Sequence, residues 1–326
     1  MVENKLLWRP CPNELKKTSV YKFLEKINSK YKLNLKNFQE LHNWSVQNRE
    51  HFWLEVWKFF DIIGTTGEKP FLSPNNDLPG TKFFPKGQLN YAENMLRKKG
   101  NYPAIIFQSE DKIYKKLSWS KLRTQVATVS NYFIQSGVKK GDRVAAYLPN
   151  IPETIIVMLA SASIGAIFSS ASPDFGVEGV VDRFGQIRPK IFITTDGYNF
   201  NGNEINITKK IKTIVSQIST IENIVLIPLI NSKTFFQGKK VIQYQDLLIR
   251  FYSTKLKFLR LGLDHPLYIM FSSGTTGKPK CIVHSAGGVI LKHLVELGLH
   301  SNAQDNSRLF YFTTCGWMMW NWLVSG

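Results

Sequence analysis

From residue 143 onward, short apolar runs alternate with segments whose apolar residues recur at helical spacing. Residues 143–148, 166–169, 190–194 and 223–227 read as buried strands, each too short to be a helix. Residues 150–163 read as a helix opened by Asn150, Pro152 and Glu153, apolar or small on nearly every side and therefore buried on more than one. Val177, Val180, Val181, Phe184 and Ile187 mark one face of a second helix that Pro189 stops, and residues 206–220 read as a third. Strand and helix in alternation predict right-handed crossovers and a parallel sheet covered on both faces. The fold class expected is α/β, doubly wound and mostly parallel.

Upstream the pattern is looser. Residues 104–108 and 112–117 predict a hairpin turning at 109–111, followed by a helix that Ser118 caps, running to Gln135 and closed by Gly137. Before residue 100 the chain is aromatic and irregular. Residues 13–31 and 48–60 read as amphipathic helices, the second carrying a stripe of Phe52, Trp53, Val56, Trp57 and Phe60 that belongs to a core. Residues 64–88, dense in Gly and Pro, read as a long wrapping loop.

The richest chemistry lies in the second half. Residues 267–271 form a further apolar strand that breaks abruptly into Ser272, Ser273, Gly274, Thr275, Thr276, Gly277, Lys278, Pro279 and Lys280. Glycines let backbone N–H groups turn toward a polyanion, hydroxyls donate hydrogen bonds, and the lysines supply charge, so the run reads as a phosphate cradle. Two residues rather than four separate Gly274 from Gly277, and Pro279 follows Lys278, so it is not a Walker loop. The alternative is an exposed Ser/Gly/Thr loop with incidental lysines. Beyond it, residues 281–283 read as a returning strand, Ser285 as the cap of a helix to 297, and 308–313 as another strand. Ligands of open α/β sheets bind beyond the carboxyl ends of strands, where the run from Ser272 sits.

A formal charge of +18 suits polyanionic ligands and raises nucleic acid as a partner. The lysines, however, are scattered through every segment and no nucleic-acid module signature accompanies them, so no nucleic-acid partner is expected. No apolar stretch reaches the roughly 18 residues of a membrane span, and the start lacks a signal-peptide pattern, so the cytoplasm is the expected compartment. Cys11, Cys281 and Cys315 have no metal-like spacing and form no disulfide framework.

The run at 272–280, SSGTTGKPK, resembles the phosphate-loop signature of the adenylate-forming superfamily. Residues 7–10 (LWRP), Trp44-Ser45-Val46 with Phe52-Trp53, residues 89–94 (LNYAEN) and residues 311–326 are similar to the acetoacetyl-CoA synthetases within it. That resemblance implies an N-terminal extension over 1–100 and part of an AMP-binding domain over 101–326. The small C-terminal domain, with its adenylation Lys, the ribose Asp and the hinge, would be missing. It implies ligation of acetoacetate to CoA through an acetoacetyl-adenylate, with ATP, Mg²⁺ and CoA. In that reading Ser272, Ser273, Gly274, Thr275, Thr276, Gly277 and Lys278 grip the ATP phosphates and Lys280 supplies the catalytic charge. Trp317, Met318 and Met319 would wall the acyl pocket, although core packing at a strand-to-helix corner also accounts for them. Phe175 and Gly176 would face CoA, although a plain turn leading into a helix fits equally well. Cys281 and Cys315 depart from the residues the family carries there. Another short-chain acyl-CoA synthetase such as acetyl-CoA synthetase, a non-catalytic nucleotide-binding fragment, and a split enzyme whose missing half is supplied in trans are the alternatives.

Overall fold

The computed structural model describes residues 7, 10–73, 80–110, 113–231, 236, 238–272 and 277–326. Of the stretches singled out above, Trp8, Arg9, residues 74–79, Asp111, Lys112, Ser273, Gly274, Thr275 and Thr276 lie outside the described residues. No helix among the described residues is long and apolar enough to cross a membrane.

After a single helical turn at Pro12–Leu15 come three longer helices: α1 (Ser19–Tyr31), α2 (Phe38–Gln47) and α3 (Arg49–Phe59). The single helix expected over 13–31 is instead a turn at Pro12–Leu15 followed by a restart, because the Thr18 side chain accepts from Tyr21 N at 3.3 Å and caps α1. No helix was expected at α2, which buries only Leu41 and Trp44, too few to form a stripe. Glu55, fully buried on α3, is bound by Lys30 and Tyr31 of α1. Burial, then that carboxylate, pushes the Tyr31 phenol up to about 12.

The wrapping loop contains a small antiparallel ladder: Gly64–Thr65 pairs with Gln88–Leu89, which also pairs with Leu261–Gly262. A short helix, α4 (Tyr91–Met95), follows. Its leading residue, Asn90, is 3% exposed and ties three segments together. The Asn90 amide donates to the carbonyls of Ala162 (2.9 Å), Ser163 (3.2 Å) and Leu259 (2.8 Å), while its oxygen caps α4 through Glu93 N. Arg260 then grips Glu93 with two bonds of 2.8 Å.

The hairpin forms as β1 (Pro103–Ser109) and β2 (Ile113–Ser118), and Ser118 caps α5 (Trp119–Gln135) through Lys121 N at 3.2 Å. The main sheet then builds from β3 (Arg143–Tyr147), α6 (Pro152–Ser163), β4 (Ile167–Ala171), α7 (Val177–Ile187), β5 (Ile191–Thr195), α8 (Thr208–Gln217), β6 (Asn223–Ile227), β7 (Lys240–Gln243), α9 (Tyr244–Arg250), β8 (Pro266–Phe271) and β9 (Cys281–Ser285). The spatial order is β7-β6-β5-β3-β4-β8-β9, parallel throughout except that β9 runs antiparallel to β8. The doubly wound expectation holds. Side chains alternate across a strand, so Val144 and Ala146 of β3 enter one core with Val126, Phe133 and Ile156 of α5 and α6. Ala145 and Tyr147 enter the other with Val180, Phe184, Ile211 and Ile214 of α7 and α8.

After β9, Ser285 caps α10 (Ala286–His293) by accepting from Gly288 N, and the helix continues through a π-helical turn at Leu294–His300. The strand expected over 308–313 is absent. A run of β-formers becomes a strand only beside a partner, and no described strand pairs with it; Phe310 and Phe312 are 83% and 92% exposed. The chain then enters α11 (Met318–Val324).

Replacing Asn90 with Ala strips the donors from buried or half-buried carbonyls and the cap from α4. The expected loss is about 2–3 kcal/mol of unfolding free energy, read from urea denaturation, with the slope unchanged.

Candidate active site

The connection from β3 through α6 to β4 runs one way along the sheet, and that from β4 through α7 to β5 runs back over the opposite face. The loops after β3 and β4 therefore diverge, which is where open α/β sheets form a crevice. On the far side, β4 pairs with β8 in backbone register at Phe168 and Tyr268, and one residue further on it is the Ser169 hydroxyl, rather than a ladder bond, that reaches the Ile269 carbonyl at 2.8 Å. The opening there is lined by Ser169, Ser170, Phe175, Arg183, Phe271, Cys315, Gly316 and Asn321.

The Ser/Gly/Thr run leaves β8 at this opening. Ser272 N donates to the Lys280 carbonyl at 3.1 Å, closing the base of the loop, and Gln186 of α7 donates to the Pro279 carbonyl at 2.9 Å. Gly277 has φ +144°, a conformation that side chains with a Cβ rarely adopt. Lys278 and Lys280 are exposed, and Lys278 Nζ lies 3.9 Å from Asp182 Oδ1. A pair that long and that exposed holds the lysine only weakly, leaving it available to an anion.

Phe175 and Gly176 sit on the loop between β4 and α7, with Gly176 leading the helix. The buried Tyr147 hydroxyl fixes this loop, with the Pro173 and Phe175 carbonyls both at 2.8 Å. Arg183 stacks over the Phe175 ring at 4.8 Å and lies 5.9 Å from that of Phe271. Sequence reasoning passed over Arg183, because a lone Arg on an amphipathic helix reads as its solvated face. Its position beneath two rings comes from the fold.

Residues 314–321 return to the same opening. Gly316 packs so closely that a Cβ there would lie 3.2 Å from the tip of the Phe175 ring. Trp317 and Met318 are 65% and 47% exposed and Met319 is half-buried; none of the three lines the crevice, whereas Cys315, Gly316 and Asn321 do. The structure thus brings Ser272, Phe175, Arg183 and Gly316 together and leaves Trp317 and Met318 at the surface. A larger cleft of about 400 Å³ lies between the β1–β2 hairpin and residues 310–313, lined in part by Asn150, Glu153 and Tyr198.

Two sets of hydrogen bonds fasten α11. The Trp320 indole N–H donates to Asn150 Oδ1 at 2.8 Å. At the other end Ser325 Oγ lies 2.7 Å from both Tyr91 OH and His293 Nδ1, and 3.2 Å from the Asn321 carbonyl. Burial holds the His293 imidazole down at about 4; His284 and Lys292 add to that shift and Glu296 opposes it. The ring is therefore neutral near pH 7. Ser325 is half-buried and, among the described residues, no carboxylate is hydrogen-bonded to the ring, so this Ser–His pair fastens the helix rather than activating a nucleophile. Among the described residues no group of three His, Cys, Asp or Glu side chains could hold a metal ion.

A strand feeding a Gly/Ser/Thr loop at the carboxyl edge of a doubly wound sheet is the setting of a nucleotide-phosphate site, and comparison with known proteins agrees. Residues 92–326 match the AMP-binding enzyme family and residues 38–95 match the acetyl-coenzyme A synthetase N-terminus. The chain belongs to the AMP-binding enzyme family. It is 44% identical to an acetoacetyl-coenzyme A synthetase of Rhizobium meliloti (strain 1021) across 98% of this chain and 49% of that protein. It is 36% identical to a malonamoyl-CoA synthetase of Penicillium aethiopicum across 98% of this chain and 46% of that protein. Among solved structures, an acetoacetyl-CoA synthetase from Streptomyces lividans superposes with a TM-score of 0.93 at 34% identity, covering 99% of this chain and 50% of that one. The chain spans about half the length of these relatives.

The neutral, buried His293 ties stability to pH. Its pKa is depressed on folding, so between about 6.5 and about 4 the unfolded chain takes up the proton and stability falls as pH falls. Across that window the loss is on the order of 3 kcal/mol, at about 1.4 kcal/mol per unit. His293→Gln is expected to flatten the slope of unfolding free energy between pH 6.5 and 4; an unchanged slope would show that His293 is not its source.

Proposed function

We propose that this chain supplies the ATP-phosphate, acyl and CoA-facing parts of an acetoacetate–CoA ligase. The observation that carries the proposal is the loop 272–280 leaving β8 at a crevice lined by the parallel strands β4 and β8, in a member of the AMP-binding enzyme family. Similarity to acetoacetyl-CoA synthetases along the whole chain supports the substrate.

In the first step a carboxylate oxygen of acetoacetate attacks the α-phosphorus of Mg-ATP, diphosphate leaves, and a mixed acyl-phosphate anhydride remains. In the second, the CoA thiolate attacks the acyl carbonyl and AMP leaves. The protein's task in the first step is to hold two anions together and stabilise charge on the departing diphosphate. Ser272, Ser273, Gly274, Thr275, Thr276, Gly277 and Lys278 take the β- and γ-phosphates, and Lys280 supplies the charge that grows in importance as the bond breaks. Phe175, Gly176 and Arg183 face the CoA side. Trp317, Met318 and Met319 wall the acyl group once the rest of the site is assembled. The metal arrives with ATP as part of that substrate.

The relatives' names narrow the acid. Acetoacetate and malonamate share a short chain with a carbonyl one methylene beyond the carboxylate. An acid of that class, rather than acetate, is the substrate proposed.

The test is acetoacetate-, ATP- and CoA-dependent AMP formation by the chain, alone and mixed with a polypeptide carrying the second half of the family sequence. Lys280→Ala is expected to lower the rate about 10²- to 10³-fold and Lys278→Ala much less. A Lys280→Ala protein of undiminished activity, or a preference for acetate over acetoacetate, would refute the assignment.

A further inference from the structure

If the acid carries a carbonyl beyond its carboxylate, the site must satisfy that oxygen, because a carbonyl taken from water without a donor costs on the order of 1–3 kcal/mol. Few groups on the crevice wall are suitable: the Tyr268 hydroxyl is buried without a partner among the described residues, but its ring packs on His284 within the larger core. The Ser169 hydroxyl already donates to the Ile269 carbonyl at 2.8 Å and Ser170 to the Cys315 carbonyl at 2.6 Å. Phe175, Phe271 and Gly316 have no polar side chain, and Cys315 is a weak donor. Arg183 is stacked on the two rings and donates to the Gly179 carbonyl at 2.7 Å.

Asn321 is different. It lines the crevice, is 3% exposed, and among the described residues its carboxamide meets no hydrogen-bond partner. An amide at a crevice wall with its N–H donors unspent is placed to donate to whatever binds there. Its backbone is also held: the Asn321 carbonyl lies 3.2 Å from Ser325 Oγ, itself fixed by Tyr91 and His293, and neighbouring Trp320 is pinned to Asn150. A side chain mounted on a helix fastened at both ends is positioned rather than free to follow a ligand.

Building on the function proposed above, we propose that Asn321 is the specificity residue of the acyl site, its Nδ2 donating a hydrogen bond to the carbonyl oxygen that acetoacetate has and a simple alkanoate lacks. Sequence spacing gave no hint of this, because a lone Asn among three tryptophans reads as a packing accident. The consequence is a site that discriminates by hydrogen bonding, not by length. Butyrate, with the same four carbons and no second oxygen, leaves the Asn321 donors unpaired and is rejected.

The experiment measures dissociation constants of acetoacetate, malonamate and butyrate for the chain by calorimetry, with a nonhydrolysable Mg-ATP analogue present. Wild type, Asn321→Leu and Asn321→Asp are compared, and the Kd of the analogue is measured for each. The wild type is expected to bind acetoacetate and malonamate at least tenfold more tightly than butyrate. Asn321→Leu should erase that ratio, and Asn321→Asp should weaken both carbonyl acids, while the analogue's Kd stays within twofold. The assignment is overturned if the wild type binds the three acids alike, or if Asn321→Leu keeps the preference. It is also overturned if the analogue's Kd shifts as much as the acids', which marks a structural role. Selective acid binding with no turnover even after the polypeptide carrying the second half of the family sequence is added would remove the ligase reading while leaving Asn321 in place. Turnover of acetoacetate without selectivity would do the reverse.

Discussion

Everything in the molecule depends on a sheet whose strands are buried on both faces. β3 illustrates the constraint: Val144 and Ala146 feed one core while Ala145 and Tyr147 feed the other, and all four are fully buried. A strand buried on both sides has no polar face, so its backbone groups must be satisfied by neighbouring strands and its side chains by helices above and below. That requirement forces helices onto both faces, and helices on opposite faces force the connections after β3 and β4 apart. The crevice follows from covering the sheet.

The N-terminal region shares the apolar core on one face of this sheet, and a few polar contacts fix where the two meet. Asn90 bonds the carboxyl end of α6 and the segment leading to β8. Tyr91, next in sequence, reaches Ser325 at the end of α11. Adjacent residues thus bond to the two segments that bring loop 272–280 and residues 314–321 to the site. The 89–94 stretch therefore has a structural explanation, with no chemistry assigned to its side chains.

What the sequence disclosed follows the same physics. β3, β5 and β6 were legible because two-sided burial writes itself as an uninterrupted apolar run, and the loop after β8 because phosphate cradling demands unusual residues. β7 was not, since Lys240–Gln243 is a polar edge strand defined by its register on β6, Asn223 opposite Lys240, and not by its own composition. The hairpin Gly197–Phe200 with Asn203–Asn206 was missed for a similar reason. Residues 308–313 failed in the opposite sense: a β-forming run was legible, but pairing is not local information. Around the candidate site, Gly277 and Lys280 stand out in the sequence by residue type. Arg183 and Asn321 do not, because their significance comes from what the fold sets beside them.

The central claim is that the opening at β4 and β8, with the loop leaving β8, holds the phosphates of ATP. The most direct measurement is a structure of the chain bound to a nonhydrolysable Mg-ATP analogue. The account predicts the β- and γ-phosphates against residues 272–280, with Lys280 or Lys278 within ion-pair distance. A nucleotide seated instead in the cleft between the β1–β2 hairpin and residues 310–313 would contradict it.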